Sequence, residues 1–382
     1  MLGVNNNMFQ YPIIDLHATW LVINGIQGCP NKCKYCFLNG VNLTSKKPAV
    51  LVQPEVAVKL LKESQYFNEE IPICIGTQTD IFSTPTNIEY AINLLKELDK
   101  NLINNPIVFI TKCLIPQYFI NVINEYKKKQ HKFIFLLSYS GLENDIEIGI
   151  NQEKIKNNFL TLYYNDIDII HYWRPFLPQN STKEKILEVY NFVKNYAKAS
   201  VAIGLKIQEN FVKELNFWEE LEDTPNICEA ESIWSKNGYE YIWGKNSLID
   251  KDYPIYQTTS CAVAYVLHSC DRNAFFNSDT CKKLNKCPMS QRKICKAHIK
   301  NNDISVKYVI DLLCKVKNDI DKNSIKISID KEKNLINIDE IELNMKEFTY
   351  LTQITHYSIR AKKNKNDYYW NTSVNDAKQL FI

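Results

Sequence analysis

Short apolar runs alternate with amphipathic stretches through the first half of this 382-residue chain, and that alternation narrows the possible folds most. A strand open to water on one face alternates apolar and polar residues, whereas a continuous apolar run reads as a strand covered on both faces. The runs at 20–24, 72–76, 107–110, 133–137, 167–173 and 201–207 are therefore predicted strands. The stretches at 54–67, 85–98, 116–129, 151–164 and 183–199 have helical spacing, and a sixth helix is expected from 209 onward. Pro85 suits a first helical turn, with Ser83 or Thr84 as the cap. Helices between consecutive strands argue a parallel sheet, so the expected class is α/β. Six units over about 200 residues fit a partial (β/α)6 barrel of the TIM type better than eight-fold closure. An open doubly wound sheet competes, but no Gly-x-Gly-x-x-Gly follows the first strand, which argues against dinucleotide binding.

The active site of a parallel α/β fold lies at the carboxyl ends of its strands. Directly after the first strand stand Cys29, Cys33 and Cys36, in the run Gly28-Cys29-Pro30-Asn31-Lys32-Cys33-Lys34-Tyr35-Cys36-Phe37. Thiolates are soft ligands for iron–sulfur clusters and zinc. Three of them leave one position of a four-ligand site open, which is the mark of a reactive centre rather than a closed structural one. A zinc knuckle would need a fourth ligand nearby, and the next cysteine is Cys74. Twelve cysteines without an export signal point to metal or catalytic use in a reducing cytosol, not to a disulfide scaffold. No apolar run reaches the roughly 18 residues of a membrane span, so the expected location is cytoplasmic.

The C-x3-C-x2-C spacing, with aromatic Tyr35 before the last cysteine, resembles the radical S-adenosylmethionine (SAM) superfamily. Three further segments, Gln27-Gly28-Cys29, 75–80 and Thr111-Lys112, resemble its spore photoproduct lyase and DNA-repair-photolyase-like branch over about the first 210 residues. The resemblance implies a catalytic [4Fe-4S] cluster on Cys29, Cys33 and Cys36, whose fourth iron takes the amino and carboxylate groups of SAM. One electron would then cleave SAM to a 5′-deoxyadenosyl radical, supplied by a donor such as flavodoxin or ferredoxin. It also implies the (β/α)6 barrel, with SAM contacts at Tyr35 of the cysteine loop and at the strand ends. Many members bind the SAM amino group with a Gly-Gly-Glu-like segment after strand two. This chain has Gly76-Thr77-Gln78-Thr79-Asp80 there, so Thr77, Thr79 and Asp80 are candidates, against an ordinary helix-capping turn. Ser138 and Ser140 end strand four, where ribose or carboxylate contacts are common in the family. Arg174, after strand five, suits a bidentate pair with the SAM carboxylate, or a salt bridge on the barrel rim.

A second group, Cys261, Cys270, Cys281, Cys287 and Cys295, has spacings x8, x10, x5 and x7 and is followed by His298. This density suggests another metal site: an auxiliary [4Fe-4S] cluster, with structural zinc as the alternative. Cys228 stands apart and reads as a buried thiol. The expected domains are the barrel at 1–215, a Cys-rich metal-binding domain at 216–302, and a small α+β module at 303–382. That module reads as a hairpin, 325–329 with 335–338, followed by a helix over 345–360. Trp218, Trp234, Tyr239, Tyr241 and Trp243 suit either packing or base stacking.

The net charge of +3 does not point to nucleic acid, and the basic runs 127–132 and 362–365 read first as solvated surface. Two functional classes stand: a radical SAM enzyme acting on nucleic acid, a peptide or a small metabolite, and a non-catalytic zinc or iron–sulfur protein serving as a nucleic-acid-binding module. The strand–helix units favour the enzyme, because a zinc module needs no barrel.

Overall fold

The structure is a computed structural model that describes residues 12–206, 221–222, 232–276, 281, 285–301, 303–317, 320–322 and 324–363. The chain divides into two compact units, one built on residues 20–167 and the other on 168–206 and 219–382 with the segment 16–19. Secondary structure is mixed α/β, and its longest sheet is largely parallel.

In the first unit four strands run parallel: β1 (Leu21–Ile23), β2 (Ile73–Ile75), β3 (Ile107–Thr111) and β4 (Phe133–Leu137). Leu21 lies opposite Ile73, Ile73 opposite Ile107, and Ile107 opposite Phe133. Every residue of β1, β2 and β4 is buried, which is why these segments read as unbroken apolar runs. The helices are α1 (Pro54–Glu63), α2 (Pro85–Lys100), α3 (Gln117–Lys128) and α4 (Gln152–Tyr164). Thr84 caps α2 by accepting from the Asn87 N–H at 3.2 Å, and Asn151 caps α4 through Lys154 at 3.0 Å. Helix α1 stops at Glu63, short of the expected 67, because Ser64 turns to an extended conformation.

A ring cluster fills the core beside β3. Phe109 stacks on Phe135 at 5.2 Å, and Phe82 meets Phe119 edge-on at 4.9 Å. Such pairs add about 0.5–1.5 kcal/mol each beyond the area they bury. Phe82 follows the β2 loop, so this packing also anchors the loop that carries Asp80.

In the second unit β5 (Asp168–Trp173), β6 (Ala199–Ala202) and β7 (Ile255–Tyr256) run parallel, and β8 (Asn285–Lys286) lies antiparallel to β7. Helix α5 (Lys183–Val193) ends six residues before the expected 199, and Ala199 instead opens β6 opposite Ile170. Strand β6 also ends early. Leu205–Lys206 leaves it to pair antiparallel with Ser232–Ser235. The helix expected from 209 onward, Trp218 and Cys228 lie outside the described residues. Trp234 is buried, stacked on Phe176 at 4.5 Å, so its indole packs rather than waiting for a base.

Between residues 303 and 363 lie β9 (Lys326–Asp330), β10 (Leu335–Leu343) and β11 (Ser358–Lys363), with α6 (Val306–Val316) and α7 (Met345–Thr355). The hairpin is present: β9 pairs antiparallel with β10, Lys326 opposite Asp339. The helix expected over 345–360 stops at Thr355, since His356 takes a left-handed conformation at φ 57. The chain then returns as β11, parallel to β10, with Ile359 and Ala361 buried and Arg360 and Lys362 exposed. That period of two marks a strand, not a helix.

His356 shares a hydrogen bond with His298, which lies on the helix Met289–Asn301. Burial first, and the neighbouring imidazole second, push His356 from 6.5 down to about 4. A depressed histidine contributes stability above pH 6.5 that is lost as pH falls towards 4. The thermal midpoint of the wild type should therefore fall more steeply over that range than that of His356→Gln; parallel curves would refute the assignment.

No helix among the described residues is long and apolar enough to cross a membrane. The basic run on α3 is paired on the surface: Lys127 with Asp166 at 3.7 Å, Lys128 with Glu125 at 2.7 Å, and Lys129 with Asp99 at 2.6 Å. Lys362 is exposed, and residues 364 and 365 lie outside the described residues.

Candidate functional site

The cysteine loop leaves β1 through Gly28, whose φ of +95° belongs to glycine, and whose missing Cβ would meet the Lys47 carbonyl oxygen at 3.0 Å. Gly28 N–H donates to the Gln78 carbonyl at 3.1 Å, which ties the loop to the end of β2. The returning chain closes over Cys29: its N–H reaches the Leu43 carbonyl at 2.8 Å, and its carbonyl accepts from Lys46 at 3.1 Å. Cys36 N–H closes a turn on the Cys33 carbonyl at 3.1 Å, and Asn39 Nδ2 braces that carbonyl at 3.2 Å.

Cys29 and Cys33 are buried and Cys36 is half-buried. The three thiols lie close enough that a charge on any one disfavours a charge on the others. Burial, with Asp80 next in weight, pushes Cys29 up to about 12; burial likewise raises Cys33, against the pull of Lys112. Thiolates in such a place need a cationic partner, and a metal supplies one. Among the described residues, no three of His, Cys, Asp or Glu converge as ligands of a single ion do. In a four-iron cube each cysteine binds a different iron, so its sulfurs stand farther apart than the ligands of one ion. The donor set of the loop fits such a cluster.

The ends of β2, β3 and β4 are tied together by side chains. Thr77 donates through both its N–H and its Oγ1 to Asn24 Oδ1, each at 3.0 Å. Thr79 Oγ1 accepts from Asn87 Nδ2 at 3.1 Å. Asp80 is buried and accepts from Thr111 Oγ1 at 2.8 Å, Lys112 N–H at 2.8 Å and Phe82 N–H at 3.0 Å. Burial raises its carboxyl above the ordinary range, and these donors pull it back. Ser138 and Ser140 are both buried. Ser138 gives its N–H to Thr111 at 2.9 Å, and Ser140 Oγ accepts from Leu142 at 3.1 Å.

Sequence reasoning passed over three residues here. Gln78 is 3% exposed, and its Oε1 has no hydrogen-bond partner among the described residues. It is the third residue of the segment Gly76 to Asp80 after strand two, and that position was the available signal. Glu147 is fully buried and takes hydrogen bonds from Tyr35, Lys112 and Gln152. Nothing local announced it, since Tyr35 lies 112 residues away. Cys113 places a further thiol against the loop, accepting from Asn31 Nδ2 at 3.5 Å.

In the second unit, Arg174 follows β5. Its guanidinium lies over the Tyr172 ring at 4.0 Å, and no carboxylate pairs with it among the described residues. The later cysteines gather around Asp271. Cys261 Sγ donates to Asp271 Oδ1 at 3.2 Å, and the carboxylate also disfavours charge on Cys270 and Cys281. Cys270 Sγ donates to the Cys295 carbonyl at 3.7 Å, and the contact between the two thiols raises Cys270 and lowers Cys295. Cys287 Sγ lies 3.9 Å from the Tyr256 hydroxyl. His298 is engaged by His356 rather than turned to this group.

No family model matches the chain, and no curated protein matches it significantly. Solved structures similar to part of it include SuiB from Streptococcus suis bound to S-adenosylmethionine, at 15% identity, covering 50% of this chain and 42% of that one, with a TM-score of 0.39. Spore photoproduct lyase complexed with dinucleoside spore photoproduct is similar at 11% identity, covering 56% of this chain and 67% of that one, with a TM-score of 0.43. The cobalamin-dependent S-adenosylmethionine radical enzyme OxsB is similar at 14% identity, covering 78% of this chain and 43% of that one, with a TM-score of 0.36. The chain thus spans less than half the length of SuiB and of OxsB.

Proposed function

We propose that this chain is a radical SAM enzyme whose Cys29, Cys33 and Cys36 hold a catalytic [4Fe-4S] cluster on a partial (β/α)6 barrel. The observation that carries the reading is the loop: three mutually close thiols, two of them buried, following β1 and tied to the end of β2. When bound, the cluster would supply the one electron that cleaves SAM to methionine and a 5′-deoxyadenosyl radical. The chain's own residues would hold SAM. Gln78 Oε1 offers a buried acceptor for the amino group. Thr77, Thr79 and Asp80 shape the β2 end from within, and Ser138 and Ser140 do the same after β4. An electron donor such as flavodoxin or ferredoxin, a cytoplasmic location, and a nucleic-acid or peptide substrate complete the reading.

The second cysteine group is proposed to hold an auxiliary [4Fe-4S] cluster, with zinc as the competing metal. Support comes from four thiols, Cys261, Cys270, Cys281 and Cys295, that all feel the Asp271 carboxylate, with Cys287 a neighbour of Cys281 and Cys295. The test is anaerobic reconstitution of the full chain. Expected are a brown protein, about eight irons per chain by two four-iron clusters, and 5′-deoxyadenosine on addition of dithionite and SAM. Iron near four with one zinc would assign the second group to zinc. Reconstituted protein that yields no 5′-deoxyadenosine would sink the enzyme reading.

A further inference from the structure

We propose that Glu147 is a positioning residue that, with Lys112 and Tyr35, clamps the three-cysteine loop to the segment after β4 and sets the balance of charge beside Cys33. The inference rests on the cluster assignment above and goes beyond it to the residues that place the loop.

The clamp has a backbone part and a side-chain part. Lys32–Cys33 pairs antiparallel with Glu147–Ile148, with Cys33 directly opposite Glu147. One residue on, Lys34 N–H donates to the Ile146 carbonyl at 3.0 Å. The Glu147 side chain has no exposed surface, and all its partners are donors: Tyr35 Oη, Lys112 Nζ at 2.7 Å, and Gln152 Nε2 at 2.7 Å. An ionised carboxylate accepts only, so three donors match that form. Tyr35 belongs to the cysteine loop itself, two residues after Cys33. Lys112 lies 5.6 Å from the centroid of the Tyr35 ring and also reaches the Ser138 carbonyl at 3.2 Å. Its backbone N–H holds Asp80. One lysine therefore joins the ends of β2, β3 and β4 to the loop.

A buried ion pair is a poor route to stability, because an apolar replacement of the same volume is often as stable. What this pair supplies is direction. Its hydrogen bonds are met in one register of the loop, and a slipped loop would leave a carboxylate buried without them. The pair also places opposite charges beside one ligand: Glu147 lies directly opposite Cys33 in the ladder, and Lys112 Nζ stands 2.7 Å from its carboxylate. Removing either charge should move the reduction equilibrium of a cluster ligated there, in opposite directions.

The full-length protein, reconstituted anaerobically, tests this by redox titration with electron paramagnetic resonance and by iron analysis. Glu147→Gln keeps the shape and removes the anion, so the potential should rise. Lys112→Met removes the cation, so it should fall. Each change should be at least about tenfold in the equilibrium, which is 59 mV for one electron. The double variant Lys112→Met/Glu147→Gln leaves no unpaired buried charge and should return towards the wild type. Unchanged potentials in iron-loaded single variants would overturn the proposal, as would shifts of the same sign in both. Should the wild type take up no iron, the cluster reading fails, and the clamp is decided on the metal-free chain. Tyr35→Phe and Glu147→Gln should then speed trypsin cleavage at exposed Lys34 and Lys46 by several-fold, and unchanged cleavage would overturn it.

Discussion

Alanine at Cys29, Cys33 and Cys36 together should abolish 5′-deoxyadenosine formation and remove about four irons per chain, one cluster's worth. Neither neighbouring thiol of this unit can restore the site without rebuilding the loop, because Cys74 is buried within β2, and Cys113 is already engaged by Asn31. The variant should keep its fold, since neutral buried thiols behave as small apolar groups whose loss costs little beside total stability. Circular dichroism checks the fold, metal analysis the cluster, and chromatography the product. Undiminished product from the triple variant would remove the catalytic assignment altogether.

Asp80→Ala should produce the largest loss of stability, about 3–5 kcal/mol, because it strands buried donors that the carboxylate now satisfies. Those donors are Thr111 Oγ1 and the N–H groups of Lys112 and Phe82, drawn from the β2 loop and the end of β3. Against a total of about 5–15 kcal/mol, this is a large fraction. Asp80→Asn should fall between, because any amide orientation turns an NH2 donor towards a donor already in place. Urea denaturation reads the effect as a shift in midpoint at constant slope. A variant within about 1 kcal/mol of the wild type but with weakened SAM binding would instead make Asp80 a direct cofactor ligand.

These two sites differ in how they could be found. The cysteine loop is legible in one dimension, because its three thiols lie within eight residues of one another and their spacing is itself the chemical signal. Asp80 was visible as a polar residue at a strand end, but whether it faces a ligand or its own backbone depends on where Lys112 and Thr111 sit. Glu147 was not visible at all. It lies in a two-residue strand, and its meaning comes from pairing with Cys33.

The same division runs through the fold. Continuous apolar runs located β1 to β5, since strands covered on both faces cannot hide their composition. The capping residue Thr84 marked a helix start, because that bond is local. Strand β7 escaped notice: Ile255 and Tyr256 are too few to carry a period, and their parallel pairing with Ser200 and Val201 makes them a strand. The helix expected over 345–360 was cut at His356 for a similar reason, as Ser358 onward pairs with β10 across a helical crossover. By itself the sequence determined the class of fold, the thiol loop and the chemistry those thiols suit, through composition and short-range spacing. Tertiary structure decided which polar residues are consumed holding the strand ends and which, like Gln78 Oε1, are left with bonding capacity, because a buried donor or acceptor takes its role from partners far along the chain.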